Sequence, residues 1–90
     1  MVFQTNEDSV VFLNDSGNVK GKVEFEDIGN DVVDIKSVYV SPSERGMGLA
    51  GRLMSSCVRH LRFNGKKAKP TCSYAQKWFN EHQDSADILA

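Results

Sequence analysis

The hydrophobic period of the chain changes once between residues 32 and 63, and this change restricts what the chain can fold into. Residues 32–40 read VVDIKSVYV and end apolar on both faces, so we expect this fourth apolar run to be the central strand of a sheet. From Leu49 onward, apolar residues recur at three- and four-residue spacing, which predicts an amphipathic helix that ends at Asn64-Gly65. Between these segments, Pro42 and Ser43 break the strand, and Gly46 and Gly48 follow before the helix. A strand, a glycine-bearing turn and a helix are therefore predicted in direct succession.

Two further strands are predicted before this junction. Residues 9–13 form a β-branched and aromatic run, and residues 19–25 alternate, with Val19, Val23 and Phe25 on one face. Residues 15–18 and 27–31 carry the Asp, Asn and Gly that tight turns require, which predicts successive hairpins.

The part of the chain after the long helix predicts a return to the sheet. Residues 66–74 (KKAKPTCSY) can form a strand parallel to residues 32–40, because a helix connects the two. A short second helix before a polar tail is indicated by an apolar pattern at Ala75, Trp78, Phe79 and His82.

Length and composition limit the class of protein. Ninety residues suffice for one domain, residues 1–90, with a single core. A formal charge of −1 gives no basic field for nucleic acid, and no segment approaches the roughly 18 to 20 apolar residues of a membrane span. Two cysteines are too few for a disulfide framework, and cysteine and histidine spacing does not suggest a metal. We expect a cytoplasmic protein with no metal, nucleic-acid or membrane partner.

The glycine-bearing turn is a candidate anion site. Gly46 and Gly48 let the backbone approach a ligand, and the first N–H groups of the following helix have no partner within the helix. A phosphate or pyrophosphate fits such a place, although the same residues can form only a tight turn with a helix start. No Gly-Lys-Ser/Thr follows, and the third glycine of a dinucleotide fingerprint is missing, so neither of those motifs is present.

In its context, the turn resembles a known family. Arg45-Gly46-Met47-Gly48-Leu49-Ala50 fits the Arg/Gln-x-x-Gly-x-Gly/Ala signature of the GNAT superfamily of acyl-CoA-dependent N-acetyltransferases, between a strand ending Val-x-Pro and a long helix. The resemblance implies that residues 45–50 hold the pyrophosphate of coenzyme A. It also implies that Val38 and Val40 offer main-chain groups to the pantetheine arm.

A second, narrower resemblance covers the end of the chain. Residues 69–89 are similar to the small single-domain YjdJ/YidJ-like group of that superfamily, with matches at Pro70, Cys72, Ser73, Tyr74 and His82. That group usually has a His-Thr pair before the Val-x-Pro segment, whereas Ser37-Val38 stands here. A histidine that takes part in proton transfer would therefore be missing.

Cys72 and Tyr74 are the candidate catalytic residues. The resemblance places Cys72 beside the thioester, and a cysteine at a strand end next to a helix start is favourable for a thiolate that accepts the acetyl group. Tyr74 can donate a proton to the coenzyme sulfur, or it can be a core residue at helical spacing from Trp78. Cys57 is expected to be a buried thiol, and the histidines to be structural or solvated.

A basic cluster near the end of the long helix has two interpretations. It can meet the 3′-phosphate of coenzyme A, or it can be a solvated helix cap. Its members are Arg59, Arg62, Lys66, Lys67 and Lys69.

The resemblance implies an α/β (α+β) minimal GNAT fold: an antiparallel four-strand meander, a long helix, a short parallel fifth strand and a terminal helix. Acetyl-CoA would bind between strands four and five. The expected function is acetyl transfer from acetyl-CoA to a primary amine, on a small molecule or a protein lysine, directly or through Cys72. The alternatives are a non-catalytic coenzyme-binding module and an interaction domain without ligand.

Overall fold

A computed structural model describes residues 2–90 and contains one five-stranded sheet with two helices. The strands are β1 (Val2–Thr5), β2 (Ser9–Leu13), β3 (Val19–Gly29), β4 (Val32–Val40) and β5 (Lys67–Ala68). The helices are α1 (Leu49–Phe63) and α2 (Ser73–Glu81), and short 3₁₀ helices cover Pro42–Glu44 and Gln83–Ile88. Strands β1 to β4 pair antiparallel in chain order, and β5 pairs parallel to β4. The predicted meander, long helix, parallel fifth strand and terminal helix are confirmed.

The core lies between the sheet and α1. The predicted apolar stripe of the helix is buried almost as expected, with Leu49, Leu53, Met54, Cys57, Val58 and Leu61 facing β2, β3 and β4. Gly21 on β3 permits the close approach, since a Cβ there would lie 2.9 Å from a methyl carbon of Leu53. The strand-like alternation of β3 places Val23 and Phe25 in the core, whereas Val19 at the strand start is 49% exposed.

Two predictions about the strands are wrong, and one predicted turn is shorter than expected. The central strand of the order β1-β2-β3-β4-β5 is β3 and not β4, and Tyr39 on β4 is 49% exposed because its side chain lies beside Lys22 on the sheet face away from the core. The predicted strand 66–74 is only Lys67–Ala68 in length. Within the turn predicted over residues 27–31, residues 27–29 continue β3, and the left-handed residues Asn30 and Asp31 make the turn.

The tail is not a polar appendage. Ser85 and Ile88 are buried, and the Ala90 N–H donates to the Ala68 carbonyl at 2.9 Å, so the end of the chain covers the outer edge of β5. Arg62 on α1 holds the tail through a two-point ion pair with Asp87, at 2.8 and 3.1 Å.

Acidification should weaken this attachment. The Arg62 guanidinium lowers the pKa of Asp87 below its ordinary value, so the unfolded chain takes up the proton first as the pH falls. The stabilisation is therefore present above about pH 4 and is lost as the pH falls through the lower pKa of the folded state. We expect Asp87→Asn to lower Tm by about 2 to 5 °C at pH 7. Melting curves from pH 7 to pH 2.5 should show that difference shrinking; a constant difference would contradict the pairing.

Candidate functional site

Strands β4 and β5 separate part-way along β4 and leave an open slot. The N–H groups of Lys67, Lys69 and Thr71 donate to the carbonyls of Asp31, Val33 and Ile35, at 2.8, 2.8 and 3.2 Å. The next N–H, of Cys72, donates to the same Ile35 carbonyl at 3.0 Å, so the chain stops advancing along β4 and turns into α2. Within residues 2–90, no strand pairs with the remaining edge of β4.

A β-bulge in β4 determines which residues face this slot. Glu24 is paired with Ser37 and Phe25 with Ile35, so Lys36 is an extra residue without a partner across the ladder. Up to Ile35, the odd-numbered residues of β4 present their carbonyls to β5. Beyond the bulge, the main-chain groups of the even-numbered residues face this edge instead. The main-chain groups of Val38 and Val40, both predicted to serve the pantetheine arm, consequently face the slot.

The glycine loop joins the end of β4 to the start of α1. Gly46 and Gly48 have φ angles of 82° and 75°, which favour glycine, and Gly48 is the N-cap of the helix. No side chain caps this helix start, and its first turn carries no acidic residue. Because the first N–H groups of a helix lack intrahelical acceptors and carry the positive end of the dipole, the loop is suited to an anion.

A cavity of about 150 Å³ connects the loop to the slot. It is lined by Val40, Glu44, Arg45, Gly46, Gly48, Leu49, Ala50, Gly51 and Tyr74. The structure thus brings most of the predicted coenzyme residues together with one predicted catalytic residue. Val38 is not among the lining residues, and neither is Met47, whose side chain is 63% exposed.

Cys72 and Tyr74 lie at the start of α2, beside the end of the slot. Cys72 is the N-cap residue, half-buried against the core, with a free thiol. Tyr74 is 38% exposed and faces the cavity, so the interpretation of Tyr74 as a core residue is wrong. Partial burial, followed by the charge of Glu81, raises the pKa of the Tyr74 phenol, which therefore keeps its proton at neutral pH. By contrast, burial raises the pKa of Cys57 to about 12, which excludes it as a thiolate at neutral pH.

A larger groove of about 590 Å³ runs between α1 and α2 and was not predicted from the sequence. It shares Gly48, Gly51 and Tyr74 with the smaller cavity, so the two lie side by side at the start of α1. Arg52, Ser55, Ser56 and Arg59 line one wall, while Trp78, Glu81 and His82 line the other. The His82 ring stacks on the Trp78 indole with 4.0 Å between ring centroids, and its Nδ1 lies 2.7 Å from the Trp78 carbonyl oxygen.

Most of the predicted basic cluster is engaged elsewhere. Arg62 pairs with Asp87, Lys66 pairs with Asp27 at 2.9 Å, and Lys67 donates to the Asp87 carbonyl. These contacts tie those three side chains to the tail and to Asp27 on β3, which is neither of the two predicted interpretations. Arg59 alone of the cluster lines the α1–α2 groove, on the polar face of α1 that the sequence pattern indicated.

A family model described as GCN5-related N-acetyl-transferase matches residues 9–88. The chain belongs to this family. The prediction of an acyl-CoA N-acyltransferase is thereby confirmed at the family level, whereas the assignment to the small YjdJ/YidJ-like group stays a prediction.

Solved structures agree with this family in their fold. A GCN5-like protein of Staphylococcus aureus superimposes with a TM-score of 0.76 at 21% identity, covering 99% of this chain and 87% of the other. Rv2747 of Mycobacterium tuberculosis, solved in complex with CoA, has a TM-score of 0.69 at 18% identity over 86% of this chain and 48% of its own. Tetrahymena GCN5 has a TM-score of 0.68 at 20% identity, covering 81% of this chain and 48% of its own. The GNAT domain described here thus spans about half the length of the last two.

A search of curated proteins found no match. In the part of the chain that the structure describes, no helix is long and apolar enough to cross a membrane, and no group of three or more potential metal ligands occurs.

Proposed function

We propose that this domain binds acetyl-CoA and transfers its acetyl group to a primary amine. The observation that carries the proposal is the continuity between the slot and the anion site: the open edge of β4 leads through a cavity of about 150 Å³ to the uncapped start of α1. An elongated ligand with an amide-containing arm and a pyrophosphate matches both ends of this path. The CoA complex of the structural neighbour Rv2747 supports the same ligand.

Each part of the coenzyme has a counterpart along the path. The pantetheine amides would pair with the main chain of Val38 and Val40, as an added strand does at a sheet edge. The pyrophosphate would accept hydrogen bonds from the N–H groups of residues 45–50. The adenosine end would then enter the α1–α2 groove, where Arg52 and Arg59 supply positive charge.

In direct transfer, the neutral amine nitrogen attacks the thioester carbonyl carbon and forms the new C–N bond. The C–S bond to the coenzyme breaks, and the departing thiolate takes up a proton. Tyr74 lines the cavity with a protonated phenol, so it is the group we assign to donate that proton, which it then recovers from the attacking amine through solvent.

In the alternative route, the Cys72 thiolate attacks the carbonyl carbon first. The coenzyme leaves as the thiol after taking up a proton, and the acetyl group is held as a thioester on Sγ of Cys72. The amine then attacks this thioester and loses a proton to solvent, which balances the proton that the coenzyme took up, and the Cys72 thiolate is regenerated. The position of Cys72 at the turn that ends the slot, as the N-cap residue of α2, supports this route.

A non-catalytic coenzyme-binding module is the second candidate. It is favoured by Ser37, which stands where the small group that the sequence resembles usually has a histidine, and whose hydroxyl donates to Glu24 at 3.1 Å. Such a module would bind acetyl-CoA without turnover over any panel of amines.

Calorimetric titration tests the proposal. We expect acetyl-CoA and CoA to bind one-to-one, and 3′-dephospho-CoA to bind roughly fivefold to tenfold more weakly, because Arg59 loses a charge-assisted partner. In Arg59→Met, CoA and 3′-dephospho-CoA should bind equally. Absence of heat together with an unshifted Tm would contradict coenzyme binding. Unequal binding of the two coenzymes by the variant would remove Arg59 from the 3′-phosphate site.

A further inference from the structure

The Arg45 side chain lies across the open edge of β4. Its Nε donates a hydrogen bond to the Val40 carbonyl oxygen at 3.1 Å. That carbonyl faces the slot, because the bulge at Lys36 turns the even-numbered residues of β4 towards it. Within residues 2–90 no carboxylate pairs with Arg45, and its side chain is exposed. The Val40 carbonyl, one hydrogen-bond acceptor of the slot, is therefore occupied by a long, exposed side chain from the glycine loop.

The Arg45 main chain belongs to the glycine loop, whereas its side chain reaches the Val40 carbonyl at the adjoining end of the slot. Its backbone starts the loop in which the first N–H groups of α1 are left open to an anion. A guanidinium forms stronger, charge-assisted hydrogen bonds with a phosphate than with a neutral carbonyl. An anion in the loop thus competes with Val40 for the Arg45 side chain.

We propose that Arg45 is a latch that phosphate releases, an inference that rests on the coenzyme function proposed above. Without ligand, the guanidinium covers the Val40 carbonyl. When a pyrophosphate enters the loop, the guanidinium moves to it, and the exposed carbonyl becomes an acceptor for an amide N–H of the pantetheine arm. The nucleotide end of the coenzyme thereby prepares the slot for the thioester end.

The latch makes the two ends of the ligand cooperative. Pyrophosphate should strengthen the binding of a phosphate-free thioester arm, and the arm should strengthen pyrophosphate binding by the same factor. The energy of one exposed hydrogen bond sets the size of the effect at about threefold to tenfold in Kd.

NMR titration of the domain with S-acetylpantetheine, with and without saturating inorganic pyrophosphate, measures this coupling. We expect pyrophosphate to lower the Kd for S-acetylpantetheine about threefold to tenfold in the unsubstituted protein. In Arg45→Met the Kd should already be low and should not respond to pyrophosphate. In Arg45→Gln, which keeps a donor but no charge, the Kd should stay high and unresponsive. Lys22→Met, which removes a positive charge on β3 that pairs with Glu24 at 3.5 Å, is the control and should retain the coupling.

The latch and the proposed function fail in different ways. If the unsubstituted protein binds acetyl-CoA but pyrophosphate leaves the Kd for S-acetylpantetheine unchanged, the latch is overturned and the coenzyme site stands. Coupling of equal size in Arg45→Met would also overturn it. If the protein binds none of acetyl-CoA, pyrophosphate and S-acetylpantetheine, the proposed function itself fails.

Discussion

Gly48→Trp is expected to weaken acetyl-CoA binding at least about a hundredfold while the domain stays folded. A Cβ at Gly48 meets no atom within 4 Å, so the indole has room above the loop and occupies the space where the phosphates would lie. The φ of 75° adds about 1 to 2 kcal/mol of backbone strain for an L-residue. Calorimetry with acetyl-CoA measures the loss of binding, and a melting curve measures the strain.

Gly65→Trp is the matched control. Gly65 has a φ of 68° and nothing within 4 Å of an added Cβ, so the variant has the same strain and the same open surroundings. It follows the C-terminal end of α1, a helix of 15 residues and therefore about 22 Å long, so it lies far from the loop. Both variants should lose similar stability, and only Gly48→Trp should lose binding.

Other outcomes would change the interpretation. Normal acetyl-CoA binding by Gly48→Trp would contradict the anion site at the loop and would favour the alternative of an interaction domain whose loop binds no ligand. Loss of binding in both variants would attribute the effect to destabilisation and not to the occupied loop.

The long helix and the hairpins follow from local patterns. The spacing of Leu53, Cys57 and Leu61 is enough to orient α1, because one face of the helix must cover the sheet. The limits of β5 do not follow from such a pattern. They depend on Thr71 and Cys72 donating to one carbonyl of a strand more than thirty residues earlier, and on the Asp34 carboxylate accepting from the Thr71 hydroxyl at 2.8 Å.

The bulge at Lys36, which decides which residues of β4 face the slot, could not be predicted from the sequence. With strict alternation from Ile35, the main-chain groups of Ser37 and Tyr39 would face the open edge of β4. Because of the extra residue, the main-chain groups of Val38 and Val40 face it instead. Val38 and Val40 were proposed through family resemblance, and no residue type in the strand signals the bulge. The α1–α2 groove could not be predicted from the sequence either, since its two walls meet only through tertiary packing.

Cys72→Ala distinguishes the two chemical routes and is expected to reduce turnover at least about a thousandfold if the acetyl group passes through Sγ. Coenzyme affinity should be retained, because the path to the phosphates does not depend on the thiol. Intact-mass spectrometry after incubation with acetyl-CoA should show one added acetyl group on the unsubstituted protein and none on the variant. The amine panel is read by release of CoA thiol.

Cys57→Ala supplies the control for this experiment. Cys57 is fully buried with its pKa raised to about 12, so it cannot form the acetyl adduct at neutral pH, and its removal should cost about 1 to 2 kcal/mol of stability without removing the adduct. An adduct that persists in Cys72→Ala would place the acetyl group on another side chain. Full turnover by Cys72→Ala, with no adduct on the unsubstituted protein, would establish direct attack by the amine and leave Cys72 as a packing residue at the turn into α2. In that case Tyr74 would be the next residue to change, because Tyr74→Phe keeps the ring in the cavity and removes only the proton that the departing thiolate needs.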